Sequence, residues 1–148
     1  LAFLGLAGMA GITVAPGDNF LDAYLGPTPL RSIVVNWAQS AADLVRRIRA
    51  EAWLQGPRSP LVKRIERLAA TEDIKAALEA FPESDRLPIL PIEMKIGAKR
   101  FNWITTLTSF GSAQDALVQG VLIESFFPAD AGTRAHFEEA DAPKTKRE

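Results

Sequence analysis

The sequence predicts an α+β fold, with helices in the first half of the chain and an antiparallel sheet mainly in the C-terminal half. Between residues 36 and 81, apolar side chains recur at steps of three and four, which is the period of an amphipathic helix. From residue 88 onward they alternate with polar side chains, which is the period of a half-buried strand. Because the helical and extended segments are segregated along the chain, the pattern favours α+β over a parallel α/β sheet.

The bulk composition predicts one domain. The chain has 148 residues, of which 47% are hydrophobic and 24% charged, as expected for a folded domain with a single core. We assign residues 1–138 to this domain and expect residues 139–148 to form a charged, mobile tail. A formal net charge of -1 argues against DNA binding by this chain alone. The absence of cysteine excludes disulfides and thiolate metal sites and is compatible with the cytoplasmic location that we expect.

The N-terminal segment, residues 1–26, opens with the apolar run LAFLGLAGMAGI. This run lacks a basic flank and is too short to span a bilayer, so we expect a core helix and no membrane association. Some of its packing partners would then lie upstream in a longer protein. The alternative is packing in lipid, which Gly5, Gly8 and Gly11 would also suit. After the turn TVAPGDN, the run FLDAYL is compatible with a short strand or a single helical turn, and GPTPLR is a second break.

The segment from residue 36 to residue 81 predicts three helices. Asn36 is well placed to cap a long first helix, which should end near Gln55. Ser59 and Pro60 begin the second helix, and Thr71 caps the third. The long helix has an apolar face made of Trp37, Ala41, Leu44, Val45, Ile48 and Ala52. Its basic residues, Arg46, Arg47 and Arg49, lie largely off that face, where we expect them to be solvated.

The C-terminal part, residues 88–138, predicts a three-stranded antiparallel meander followed by a helix. The first strand alternates through Leu90, Ile92, Met94 and Ile96 up to a turn at Gly97. The second strand alternates through Phe101, Trp103, Thr105 and Leu107, and the loop FGSAQDA separates it from a third run, LVQGVLIESFF. Pro128 is then expected to open a closing helix that extends through Phe137.

No sequence motif indicates catalysis. Phosphate-binding loops, dinucleotide turns and nucleophile elbows are all absent, and His136 is the only histidine, which we interpret as an exposed helix residue. We therefore predict no enzymatic activity, no cofactor and no metal. The scattered carboxylates are interpreted as salt-bridge partners. The alternative is an acid/base isomerase that uses carboxylates together with Tyr24.

The aromatic residues are the best candidates for a binding site. Those on the long helix and the sheet could either fill an ordinary core or line an apolar cavity. We select eight inward-facing candidates for ligand binding, which are Trp37, Leu44, Ile48, Trp53, Phe101, Trp103, Phe110 and Phe126.

Three pieces in this order resemble the ligand-binding region of MmyB-like bacterial transcription regulators. They are the NW helix start at Asn36, the segment TTLTSFG from Thr105, and the run IESFFPAD from Ile123. The resemblance covers about residues 27–137. It implies a PAS-like sensor region that follows an N-terminal helix-turn-helix in the same polypeptide, with a small apolar effector such as a fatty acid.

The resemblance also limits where DNA would be bound. Residues 1–26 do not contain a helix-turn-helix, so DNA contact is expected only through a part of the protein absent from this chain. We expect a homodimer. The alternative function is a ligand-free module for protein–protein interaction, in which the apolar opening helix and an exposed sheet edge drive oligomerisation.

Overall fold

A computed structural model describes residues 10–13, 15, 19–54, 56, 58–82, 89–109 and 122–141. Helices precede a three-stranded antiparallel sheet and one helix follows it, which confirms the α+β class. The helices are α1 Phe20–Leu25, α2 Pro29–Ser32, α3 Trp37–Leu54, α4 Pro60–Ala69, α5 Glu72–Ala80 and α6 Ala131–Asp141. The strands are β1 Leu90–Ile96, β2 Lys99–Ser109 and β3 Leu122–Pro128. The predicted opening helix, within residues 1–12, lies almost wholly outside the described residues.

The run FLDAYL forms helix α1 rather than a strand. The Asn19 side-chain oxygen accepts hydrogen bonds from the backbone N–H groups of Leu21 and Asp22, which satisfies two donors at the helix start. The next segment, predicted as a plain break, contains the short helix α2. Beyond it the chain pairs with β1, since Val35 N–H donates to the Glu93 carbonyl at 2.7 Å. This pairing covers part of the outer edge of β1.

Helix α3 has the extent and the apolar face that the sequence predicts. Leu44 and Ile48 are each 1% exposed, and Ala41, Val45 and Ala52 are fully buried. The predicted role of Asn36 is wrong, however. Its side-chain amide donates to the Pro91 carbonyl at 3.0 Å, and its side-chain oxygen accepts from Glu93 N–H at 2.9 Å. Asn36 therefore joins the start of α3 to strand β1, because β1 passes close enough to compete for the cap.

The two shorter helices begin where the sequence predicts. Ser59 Oγ accepts from Val62 N–H at 3.2 Å, so the predicted cap of α4 is confirmed. Thr71 stands at the cap position of α5 but makes no side-chain capping bond. Its hydroxyl donates instead to the Leu68 carbonyl at 2.8 Å, at the end of α4. Only Ala70 and Thr71 separate α4 from α5, so the Thr71 hydroxyl reaches a carbonyl at the end of α4 and does not cap α5.

The sheet is the predicted meander, in the order β1-β2-β3. Leu90, Ile92 and Met94 are buried and alternate with more exposed residues, and Gly97 turns the chain with φ of 59°. Trp103 lies opposite Ile92 on one side and Pro128 on the other. The predicted loop at residues 110–116 and the first five residues of the third run lie outside the described residues.

The closing helix begins later than the sequence predicts. Pro128 is the last residue of β3, because it is held opposite Trp103 in the sheet. The cap is Asp130, whose carboxylate accepts from Thr133 N–H at 2.7 Å. Helix α6 continues to Asp141, so residues 139–141 of the predicted tail are helical and the rest of that tail lies outside the described residues.

Candidate ligand-binding core

Four aromatic side chains meet between the sheet and the last helix. We call Phe101, Trp103, Phe126 and Phe137 the aromatic cluster; they come from β2, β3 and α6. The Trp103 ring centroid lies 5.0 Å from that of Phe137 and 6.3 Å from that of Phe126, both in edge-to-face geometry. The ring centroids of Phe101 and Phe137 are 5.7 Å apart. Three of the eight sequence-predicted site residues therefore lie together.

The aromatic cluster extends toward helix α1. The ring of Phe20 packs edge-on against Phe126 at 6.2 Å and stacks on Tyr24 at 5.5 Å. Leu44 and Ile48, both predicted site residues, belong to the same apolar core on the α3 side. A continuous apolar region thus runs from the sheet to the long helix.

Trp103 carries a polar atom, the indole Nε1, in the apolar surroundings of the aromatic cluster. The residue is 1% exposed, and its indole Nε1 is buried without a hydrogen-bond acceptor in the described part of the chain. A buried indole N–H usually has a partner, because an unpaired donor keeps the cost of losing water without recovering it. The aromatic cluster therefore contains one unused hydrogen-bond donor.

Trp37 packs against the same apolar core and differs from Trp103. Its Nε1–H donates to the Tyr24 carbonyl at 2.9 Å, and the Arg31 guanidinium lies 3.4 Å from its ring centroid. Nearby, the Tyr24 hydroxyl and Ser40 Oγ are 2.6 Å apart and buried. Trp37 is half-buried and packs against the core, so its predicted inward position is partly met.

Two other predicted site residues do not join this region. Trp53 is 61% exposed, so its assignment to an inward face is wrong. It lies near the end of α3, one position after the buried Ala52, and the helical rotation turns it to solvent. Phe110 lies outside the described residues.

His136 is not the exposed residue that the sequence suggested. It is half-buried, and its ring lies 5.2 Å from each of the Phe101 and Phe137 rings. The sequence analysis also missed Phe137 as a site residue. The available signal was its position in the closing helix, where an aromatic residue beside polar neighbours indicates a buried side.

The basic face of α3 is not simply solvated. The Arg46 side chain is 14% exposed and donates to the carbonyls of Leu78, at 3.0 Å, and Phe81. These carbonyls end helix α5, where a positive charge suits the helix dipole. The buried Asp43 lies 3.6 Å from the other terminal nitrogen of Arg46. Arg46 therefore joins α3 to α5 and is not solvated as the sequence predicts.

Ion pairs at the surface join the remaining helices, and Glu66 forms the kind of salt bridge that the sequence predicts for the scattered carboxylates. Arg49 donates twice to Glu66, and this hydrogen-bonded pairing lowers the pKa of the Glu66 carboxyl. Arg31 acts in the same way on Asp73 and lowers the pKa of that carboxyl. Such surface pairs contribute little to folding, about 0–1 kcal/mol each. They orient the helices more than they stabilise them.

Comparisons with known proteins add no identification, since the chain matches no family model, no curated protein and no solved structure. In the described residues, no helix is long and apolar enough to cross a membrane. The same residues contain no group of three or more histidine, aspartate or glutamate side chains placed to hold a metal ion.

Proposed function

We propose that this chain is the ligand-sensing and dimerisation domain of a bacterial transcription regulator of the MmyB-like, PAS-like type, and not an enzyme. Its effector is a small apolar molecule such as a fatty acid. The observation that carries the proposal is the aromatic cluster, in which rings from β3 and α6 pack edge-on against a tryptophan with an unused donor. Apolar ligand sites are typically lined by aromatic side chains with a few placed polar groups.

The segments that carry the family resemblance also have structural roles around this region. Asn36, from the NW pair, joins α3 to β1. Asp130, from IESFFPAD, caps α6 and accepts a hydrogen bond from the Asn102 side chain at 2.6 Å. These two residues fix the long helix and the closing helix to the sheet. The starts of both helices are therefore joined to the sheet that carries the aromatic cluster, which supports a sensor role for the sheet–helix contact.

A sensor needs an element whose position depends on the ligand. Helix α6 is the candidate, because Phe137 contacts Trp103 directly while Thr133 and Asp130 hold the helix start to Asn102. An effector that enters beside Trp103 would bind better when Phe137 moves away. Such differential affinity shifts the population between two positions of α6, and an attached DNA-binding domain would respond to that shift.

The alternative is a ligand-free interaction module. The observation in its favour is the exposure of several large apolar side chains, since Trp53 is 61% and Phe127 52% exposed. Isolated exposed apolar residues are common on monomers, however. The alternative therefore has less support than the sensor.

Native mass spectrometry of the purified chain tests the proposal first, followed by lipid extraction of any retained mass. We expect a retained apolar molecule, or an apo chain whose melting temperature rises by several degrees with saturating dodecanoic acid. An apo mass with no thermal shift for any apolar compound would contradict the sensor. If no apolar compound binds, a concentration-dependent dimer that Trp53→Ala weakens would favour the interaction module.

A further inference from the structure

We infer that the effector carries one neutral hydrogen-bond acceptor, such as a ketone or ester carbonyl, which accepts from the indole N–H of Trp103. This inference rests on the proposed sensor function and adds to it the chemical class of the ligand. The sequence and its family resemblance suggested only an apolar molecule such as a fatty acid. The polar atom that would recognise a functional group comes from the structure.

The indole N–H of Trp103 lacks a hydrogen-bond acceptor in the described part of the chain. Its Nε1 is buried, and the neighbouring rings of Phe126 and Phe137 carry no lone-pair acceptor. Buried polar groups nearly always have a partner, and each exception requires a physical account. A ligand that supplies the missing acceptor would recover a full hydrogen bond at a site that has already lost its water.

Two other accounts of the unpaired donor are weaker. A buried water needs two to four polar partners, and the ring neighbours of Trp103 are Phe126 and Phe137, which supply none. An N–H contact to the face of Phe137 is only a weak hydrogen bond. Neither account satisfies the donor as a carbonyl oxygen would.

The acceptor should be neutral. One neutral N–H among aromatic rings cannot compensate for the desolvation of a carboxylate, which in such a place needs a cation or several donors. A fatty acid would then bind with its carboxylate away from Trp103 or in its protonated form. A ketone or ester of similar length has no such penalty, so the unused donor discriminates between these ligand classes.

Trp37 provides an internal control. Its indole N–H already donates to the Tyr24 carbonyl at 2.9 Å, so a ligand acceptor has nothing to gain there. Trp53 is exposed and its indole is available to water. The three tryptophans of the chain thus differ in one property that can be measured separately for each.

The experiment titrates the whole chain with three probes of matched length, namely 2-undecanone, undecane and undecanoate. We expect the ketone to bind about 5- to 10-fold more tightly than the alkane, the range of one neutral hydrogen bond. The Trp103→Phe variant should bind both equally, whereas Trp37→Phe should keep the preference for the ketone. In ¹H–¹⁵N spectra of the unmodified protein, only the Trp103 indole signal should move downfield with the ketone.

Each outcome decides a different question. Equal binding of ketone and alkane by the unmodified chain, with no downfield indole shift, would overturn the inference and leave the sensor function standing. Tightest binding of undecanoate, with the Trp103 signal shifted downfield, would overturn the claim that the acceptor is neutral. Failure of all three probes to bind would overturn the inference together with the proposed function. Because the spectra need no variant, the test holds even if Trp103→Phe does not fold.

Discussion

Trp103 in the core and Trp37 packed against it differ in the hydrogen bonding of their indole N–H groups. Around Trp37, the indole N–H donates to the Tyr24 carbonyl, and the buried Tyr24 hydroxyl pairs with Ser40. Around Trp103, the indole N–H has no acceptor in the described residues. The polar side chains named around Trp37 have hydrogen-bond partners, whereas the indole N–H of Trp103 lacks one.

The proposed function gives the two regions different roles. The hydrogen bonds around Trp37 join α1 to α3, and a fully paired buried network rigidifies its surroundings. An unpaired donor among aromatic rings is costly in the free protein and becomes favourable when a ligand supplies the acceptor. Under the proposed function, the Trp37 region is scaffold and the Trp103 region is the ligand site, and four expected outcomes test the contacts around them.

The largest effect should follow from removing the Trp103 ring. Trp103→Ala should lower the free energy of unfolding by about 3–5 kcal/mol, since a large side chain that is 1% exposed leaves a cavity. Urea denaturation followed by circular dichroism measures this. Trp53→Ala is the matched control and should change stability by about 0.5 kcal/mol or less. Similar losses for the two variants would mean that Trp103 is not a core residue.

The next effect concerns the link between the long helix and the sheet. Asn36→Ala removes two hydrogen bonds to β1, to the Pro91 carbonyl and the Glu93 N–H, and should cost about 2 kcal/mol. Hydrogen exchange should show faster opening of the β1 amides. Ser32→Ala removes an exposed hydroxyl that donates to Pro29 and should have little effect on either measurement. A loss confined to α3 amides would instead favour a capping role for Asn36.

A smaller effect should mark the scaffold pairing itself. Tyr24→Phe keeps the ring and removes the hydroxyl that lies 2.6 Å from Ser40 Oγ, so it should cost about 1 kcal/mol. A double-mutant cycle with Ser40→Ala separates this contact from other effects of each change. We expect a coupling energy of about 1 kcal/mol. Additive losses would show that the two hydroxyls do not interact.

The mildest effect should appear on acidification. Hydrogen bonds from Thr133 N–H and the Asn102 side chain lower the pKa of the Asp130 carboxyl, as the Arg49 pairing does for Glu66. A lowered folded-state pKa contributes stability that is present above the unfolded-state pKa and is lost as the pH falls through the folded value. Stability should therefore hold steady from about pH 8 to pH 5 and decline below about pH 4.

The Asp130→Asn variant isolates the closing helix in that titration. The Asn side-chain oxygen still accepts from Thr133 N–H but does not titrate, so the decline below about pH 4 should become shallower. Melting temperatures between pH 3 and pH 7 measure both proteins. An unchanged slope would assign the acid sensitivity to the arginine–carboxylate pairs of the helical half and not to α6.

Local sequence signals predicted the elements well and their hydrogen-bond partners less well. Ser59 caps α4 as expected, because the bond it makes spans only three residues. Asn36 and Thr71 stand at the right positions but bond elsewhere, to β1 and to the end of α4. Pro128 was assigned to a helix start, yet pairing with Trp103 holds it in the sheet. For Asn36 and Pro128 a contact distant in sequence replaced a local one, whereas the Thr71 hydroxyl bonds three residues back along the chain.

The predicted site residues also separate into those that the apolar pattern places correctly and those whose position depends on tertiary packing. Leu44, Ile48, Phe101 and Trp103 were expected to face inward, and they are buried. Trp53 was expected inward too but is exposed, because the helical rotation from the buried Ala52 turns it to solvent. Phe137 was missed, since its contact with Trp103 depends on where α6 crosses the sheet.

By itself the sequence determined the class of fold, the order of the longer helices and the strands, and the apolar faces of α3 and the first two strands. Those features depend on the period of apolar side chains, which is a local property of the chain. Tertiary structure alone decided that Asn36 binds β1, that Arg46 binds the end of α5, and that Trp103 is left without an acceptor. Pairing of a polar atom depends on which distant group comes within about 3 Å of it, and no sequence period encodes that distance.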